Sequence, residues 1–342
     1  VLLLEKAATN LITYSEDFTQ SYWQKTGALV TSNSAISPDG TLNADKLVEG
    51  TNNGVHYINT PSEASINGTA TTQIYAKKGE RSVIKLSTNG VILAGCYANF
   101  DLENGVVSAS ALCTATIEKI GDYYKCSFTY ASNGVTAPQV YLVLLKNPTD
   151  STFQSYQGDG TSGVYIYGAQ LEVGNLSSYI PTQGSASTRV AETANNSGNS
   201  EVFSDSEGVL FANIAANAND STYRNIGLTD NTINNRILLQ YSNISNRISG
   251  LIIDGSASQS SLNFTSSNIK NYSKVALKYK VNDVALWVNG FEIGTDTSAT
   301  MPSGLNTLSF DNSVNSDDFY GKTKQIGYYN TILTDLELET LT

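Results

Sequence analysis

The sequence predicts an all-β protein: two tandem antiparallel β-sandwich domains, closed by a short C-terminal helix. Three observations lead there. Apolar and polar residues alternate at a period of two through much of the chain, the spacing that places alternate side chains on opposite faces of a strand. Turn-forming residues punctuate these stretches at short intervals. The alternation lapses once, between Pro181 and about Ser206, and divides the 342 residues into two parts of sandwich size.

In the first part, Val83-Ile84-Lys85-Leu86-Ser87, Val140-Tyr141-Leu142-Val143-Leu144-Leu145 and Val164-Tyr165-Ile166-Tyr167 read as strands. Pro38-Asp39-Gly40, Lys78-Gly79-Glu80, Glu103-Asn104-Gly105 and Asn133-Gly134 supply turns. Short strands at such spacing suit a sandwich or jelly roll, not a parallel sheet crossed by helices. The stretch Thr182 to Thr188, followed by Asn195-Asn196-Ser197-Gly198-Asn199-Ser200, reads as an exposed connector. The expected divisions are therefore 1–185, a linker over 186–205, and 206–342, with residues 1–9 leading in from an upstream stem.

The second part resumes with Val209 to Ile214, Arg236 to Tyr241 and Lys274 to Tyr279. Val284-Ala285-Leu286-Trp287-Val288, Asn289-Gly290 and Phe291-Glu292-Ile293 form a hairpin signal, because Asn-Gly tolerates the positive φ angles of a tight two-residue turn. Thr334 followed by Glu337 is a capping box, with Leu333 and Leu338 placed as a hydrophobic staple. It predicts a terminal helix docked through Leu336, Leu338 or Leu341.

Charge excludes some functions. Twenty Lys and Arg against 31 Asp and Glu give a formal net charge of −11, and no window forms the dense cationic face that nucleic acid or an acidic membrane surface requires. No apolar run approaches the roughly 20 residues needed to span a bilayer. Charged residues make up only 15% of the chain, so its surface is solvated largely by hydroxyls and amides, as in many extracellular β-proteins. The chain does not begin with Met, which suggests a start inside a longer protein.

Ordered motifs across residues 1–190 carry a resemblance. They begin with Leu3-Leu4-Glu5 and Thr9-Asn10-Leu11-Ile12-Thr13-Tyr14-Ser15-Glu16-Asp17-Phe18, then Tyr22-Trp23-Gln24-Lys25. Ser37-Pro38-Asp39-Gly40-Thr41, Ala44-Asp45-Lys46-Leu47, Asn99-Phe100-Asp101-Leu102 and Gly121-Asp122-Tyr123-Tyr124-Lys125-Cys126 follow. Tyr165-Ile166-Tyr167-Gly168-Ala169-Gln170-Leu171-Glu172 and Ser178-Tyr179-Ile180-Pro181-Thr182 close the series. This succession resembles the carbohydrate-binding-module-type jelly roll common in phage tail and head fibres. The second part resembles a concanavalin A/laminin-G-like sandwich, through Trp287-Val288-Asn289-Gly290, Phe319-Tyr320-Gly321-Lys322, Gln325-Ile326-Gly327-Tyr328-Tyr329 and the closing Leu333 to Leu341 segment.

The resemblance implies a non-enzymatic, lectin-like fibre or spike segment on a virion. Its partners would be host cell-surface polysaccharide and, through an upstream stem, other virion proteins. It also implies a homotrimer, although the chain itself holds no heptad run or intertwined repeat to build one. Two alternatives remain open at this stage: a bacterial secreted or surface glycan-binding protein, non-catalytic within a polysaccharide-degrading system, and a purely structural virion decoration.

Candidate chemistry is sparse. His56 is the only histidine, so a His-based triad or multi-His metal site would have to centre on it, and its surroundings read as a strand. Asp311, Asp317 and Asp318 share a loop with Asn312 and Asn315 and suit the hard oxygen coordination of Ca²⁺, though without EF-hand spacing; no cofactor is required. Cys96, Cys113 and Cys126 lack a C-x-x-C spacing, and their odd number argues against a disulfide framework, leaving three small apolar strand residues. Twenty tyrosines suit stacking on sugar faces, but tyrosine also simply favours sheets, and no individual binding tyrosine can be singled out. Trp23 and Trp287 read as core.

Overall fold

In a computed structural model of the chain, the described residues are 1–63, 65–88, 96–133 (133 by backbone alone), 138–314 and 316–342. Gly134 of the expected Asn133-Gly134 turn and Asn315 of the acidic loop lie outside them. The fold is all-β, with 53% strand and 2% helix, in several antiparallel sheets. It divides into two compact units, Ala7–Val190 and the combination of Val1–Lys6 with Ala191–Thr342.

The first unit contains two six-stranded sheets. One runs, in spatial order, Val106–Ala111, Tyr97–Asp101, Val83–Thr88, Val140–Leu145, Tyr57–Asn59, Gln24–Thr26. The other runs Thr114–Ile120, Tyr123–Asn133, Asn67–Lys78, Gly163–Val173, Leu42–Glu49, Ala28–Ile36. Period-two alternation sends Ile84, Leu86, Phe100, Leu142 and Leu144 of the first sheet into one core with Leu47, Ile74, Phe128, Val164 and Ile166 of the second. Phe18 and Trp23 complete this core from the segment before the strands.

The opening motif and the closing motif of this unit are tied through one side chain. Asn10 is fully buried; its Nδ2 donates to Ala169 O and Ile180 O at 3.1 and 2.9 Å, while Oδ1 accepts from Ile12 N and Leu171 N, each at 3.1 Å. Four bonds satisfy every polar capacity of a buried amide, which is the condition for burying one without cost. Ser15 and Thr182 repeat the tie, Thr182 N donating to Ser15 Oγ at 2.8 Å and Ser15 N to Thr182 Oγ1 at 3.0 Å.

The second unit packs a six-stranded sheet against a five-stranded one. The larger runs Leu2–Leu4, Gly321–Tyr329, Glu207–Ala216, Ser273–Lys280, Val284–Val288, Phe291–Asp296. The smaller runs Ala257–Thr265, Arg247–Asp254, Arg236–Tyr241, Arg224–Thr229, Thr307–Ser309. The larger sheet's outer face is apolar: Val209, Phe211, Ala276, Ala285 and Trp287 cluster there under Leu338. The helix Asp335–Leu341 covers them, with Leu338 fully buried, Leu333 and Leu341 beside it, and Leu336 left 72% exposed. Of the three alternatives, Leu338 is the leucine that docks, with Leu341 beside it, and Leu336 points away from the buried stripe. The capping box is formed as expected: Thr334 N donates to Glu337 Oε2 at 2.8 Å, and Glu337 N to Thr334 Oγ1 at 3.4 Å.

Two organisational expectations are corrected. Residues 1–9 are not a lead-in to the first unit alone: Leu2–Leu4 is an edge strand of the second unit, paired with Gly321, Lys322 and Thr323, and Leu4 enters that core. Nor is 186–205 a free linker. Ser187–Arg189 pairs with Ala8–Asn10 in the first unit, Ser197 bridges to Leu308, and Phe203 is buried in the second core. Polar composition mimicked a loop here because backbone pairing, not apolar alternation, orders these residues.

Candidate functional site

A polar cleft of about 610 Å³ opens in the first unit. Three stretches distant in sequence line it: Tyr14 to Thr19, the Ser32–Asn33 and Asn43–Asp45 positions of one hairpin, and Pro181 to Gln183. The Ser15–Thr182 bonds bring the first and third together.

Asp45 builds the junction of the walls. It is 2% exposed, and its two oxygens accept from Phe18 N and Asn33 N, each at 2.9 Å. Those bonds hold the 14–19 segment against the hairpin, where Asn33 takes a φ of +50° and the strand register shifts. Burial raises the Asp45 carboxyl above its ordinary range, opposed by the two backbone donors. Asp17 rests in a tight turn, accepting from Thr19 N and from Gln20 Nε2. Burial pushes its carboxyl up, but these hydrogen bonds outweigh burial and leave it below the ordinary value.

Glu16 is aimed by tyrosines. The Tyr167 and Tyr179 hydroxyls lie 3.0 and 3.1 Å from Glu16 Oε1, the single Tyr167 proton being shared with Asp39 Oδ2 at 2.9 Å and that of Tyr179 with Ser15 Oγ at 2.7 Å. Burial first, then these acidic neighbours, raise the Tyr167 hydroxyl, which therefore stays a donor. The two rings belong to an aromatic group on the outer face of the sheet with Tyr75, at centroid separations of 5.6 to 6.1 Å. Gly168 makes room for it. A bulge in strand Gly163–Val173 gives Gly168 a φ of +64°, and a Cβ there would lie 2.9 Å from the Tyr75 ring.

Glu16 lines the cleft and is held through Oε1. Asn43 Oδ1 is buried without a hydrogen-bond partner among the described residues, while its Nδ2 donates to Asp39 Oδ2 at 3.2 Å. The lining contains no lysine or arginine. Lys25 lies behind the wall, donating to Thr19 O, Gln20 O and Trp23 O at 2.9 to 3.1 Å. The cleft therefore offers oxygen acceptors, amides and the Tyr14 ring to a ligand that brings hydroxyl donors.

The residues singled out from sequence lie elsewhere. His56 is fully buried; Nδ1 faces Gly27 O at 2.5 Å and Nε2 faces Tyr156 O at 3.1 Å, so the ring braces three backbone segments. Asp311 is buried and accepts from Ser313 N and Asn195 Nδ2, Asp317 from Asn312 Nδ2, and Asp318 from the Tyr320 hydroxyl. These carboxylates organise their loop, and among the described residues no group of three or more His, Cys, Asp or Glu could hold a metal ion. Trp23 and Trp287 are core, at 2% and 7% exposure. Among the described residues no helix is long and apolar enough to cross a membrane. Sequence reading missed the cleft because its walls meet only in space; Asp45, a carboxylate inside the strand Ala44-Asp45-Lys46-Leu47, was the one local signal.

No family model matches the chain, and no curated protein matches it. Among solved structures, it is similar to the leech intramolecular trans-sialidase complexed with 2,7-anhydro-Neu5Ac, at 18% identity and a TM-score of 0.36, over 44% of this chain and 26% of the leech chain. It is also similar to domains LG4-5 of the mouse laminin alpha1 chain, at 11% identity and a TM-score of 0.29, over 96% of this chain and 89% of that one. At these scores neither likeness bears on function.

Proposed function

We propose that the chain is a non-enzymatic attachment segment of a bacteriophage fibre, and that its first unit binds a neutral, hydroxyl-rich glycan of the host surface in the cleft. The observation that carries the glycan reading is an open polar cleft lined by the carboxylates of Glu16 and Asp17 beside Tyr14, and without a lining cation. Sugar hydroxyls donate to such acceptors, and a tyrosine ring packs on the apolar face of a pyranose. The fibre context is supported by the ordered motifs of residues 1–190. Three copies on one stem would multiply a weak single site by effective concentration.

The test is calorimetric titration of the intact chain with neutral host-type oligosaccharides, alongside Glu16→Gln and Asn43→Ala. Binding weakened by about tenfold or more in both variants, with wild-type melting, supports the reading. Binding unchanged in both moves the ligand out of the cleft, and release of reducing ends from a host polysaccharide would overturn the non-enzymatic assignment. Light scattering on the full-length parent tests the trimer; a monomeric parent removes it.

A further inference from the structure

The three cysteines are not equivalent. Cys96 immediately precedes strand Tyr97–Asp101, and Cys113 lies just beyond its neighbour Val106–Ala111, where Tyr97 pairs with Ala111. Leu112, with a φ of +57°, turns the chain so that Cys113 swings back across the pair. The side chains then cross. Cys96 Sγ lies 3.7 Å from the carbonyl oxygen of Leu112, the residue before Cys113, and Cys113 Sγ lies 3.2 Å from the carbonyl oxygen of Tyr97, the residue after Cys96. Each thiol thus rests against the backbone that adjoins the other cysteine. Cys96 is buried, Cys113 is half-exposed, and Cys126 is buried at a separate point of the core.

We infer that Cys96 and Cys113 form a dithiol that closes to an intramolecular disulfide, with Cys113 as the attacking thiol, Cys96 as the resolving thiol and Cys126 as a bystander. The order follows from access and from charge. Contact with Cys96 lowers the Cys113 thiol against the effect of burial, whereas the same contact, followed by burial, raises Cys96. The thiolate is the nucleophile, so the half-exposed Cys113 reacts first.

The oxidant is a low-molecular-weight disulfide. The Cys113 thiolate attacks one of its sulfurs, forming a mixed disulfide and releasing the first small thiol. The Cys96 thiol, losing its proton, then attacks Cys113 Sγ and expels the second. Two protein thiols are oxidised by two electrons, the external disulfide is reduced, and both protons leave on the two released thiols. The cross-link would staple the end of a hairpin whose first strand lies beside Val83–Thr88 at the centre of its sheet.

Incubation of the intact chain with oxidised glutathione, followed by denaturation and thiol counting, tests this. Three thiols should fall to one, the mass should drop by two hydrogens, and one cross-linked peptide should join residues 96 and 113. Cys96→Ser should stop at a stable mixed disulfide on Cys113. Cys113→Ser, changed at the half-exposed position and so least disruptive to folding, should keep both remaining thiols. A wild-type chain that keeps three thiols, accumulates the mixed disulfide, or cross-links through Cys126 overturns the inference, as does a Cys113→Ser chain that still loses a thiol pair.

Discussion

The two units share a plan, sheet against sheet, and differ in what lies over the outer face of one sheet. In the second unit that face is apolar, and the terminal helix seals it, Leu338 resting on Val209, Phe211 and Trp287. In the first unit the comparable outer layer is tyrosine. Tyr75, Tyr167 and Tyr179 remain partly accessible or reach polar partners, and their hydroxyls position a carboxylate at the edge of a cleft. The covered apolar face contributes stability through burial. The tyrosine layer, with Tyr167 itself buried, directs hydroxyl groups to polar partners at its edge. The contrast supports the recognition role proposed for the first unit.

The largest effect should come from breaking the seal. Leu338→Ala should destabilise the second unit by about 3 kcal/mol, since a fully buried leucine is replaced by a cavity, while leaving the melting of the first unit unchanged. Equal loss in both units, followed by calorimetry, would mean that they do not respond separately.

Next comes a pH effect confined to the first unit. Lys85 is buried on the outer face of its sheet, its Nζ donating to Thr152 O at 2.6 Å and lying 4.4 Å from the centroid of Tyr97. Burial lowers its ammonium to about 8 from 10.5, against a weaker pull from Asp150. The folded state thus sheds this proton at a lower pH than the unfolded chain, so the penalty is full below about pH 8 and is relieved between there and about 10.5. Stability of the first unit should gain on the order of 2 kcal/mol across that window relative to a Lys85→Met variant. Parallel wild-type and variant profiles would show that the ammonium carries no such penalty.

Within the cleft, Glu16→Gln should weaken glycan binding by about tenfold, the worth of one hydrogen bond to a charged acceptor, with little change in stability. A polysaccharide bearing carboxylates should bind more weakly than its neutral counterpart, because the lining offers Glu16, Asp17 and Asp45 and no cation. The reverse preference would place the ligand elsewhere. At the covered face, Thr334→Ala should cost about 1 kcal/mol through loss of the cap. Smallest of all, Leu336→Ser should change stability by less than about 0.5 kcal/mol, which separates the exposed leucine from its buried neighbour.

What could be read in the sequence follows from how local each cause is. Strands Val140–Leu145 and Arg236–Tyr241, the Asn289-Gly290 hairpin and the Thr334 cap lie where alternation and turn chemistry place them. The strand Leu2–Leu4 could not be placed, because its partner begins more than three hundred residues away at Gly321. Phe203 sat in a polar stretch that read as a linker, its few apolar residues being too scattered to set a period. The cleft needed Glu16, Asn43 and Thr182 to meet, and bonds between distant segments, those of Asn10, Ser15 and Asp45 among them, bring them together.

The pairing of Leu2–Leu4 with Gly321–Thr323 also sets the route by which mechanical load travels. The chain leaves the second unit after Lys6 and returns to it at Ala191, and Glu5 and Glu192 clasp there, Glu192 N donating to Glu5 O and Glu5 N to Glu192 Oε2, each at 2.9 Å. Tension applied between residue 1 and residue 342 is therefore borne first by one antiparallel strand pair and that clasp. Residues 7–190 form a loop outside the force path until the short edge strand peels away. A glycan held in the cleft would be spared the strain carried by the chain ends, and its release would answer to chemistry at the site before it answered to pulling on the backbone.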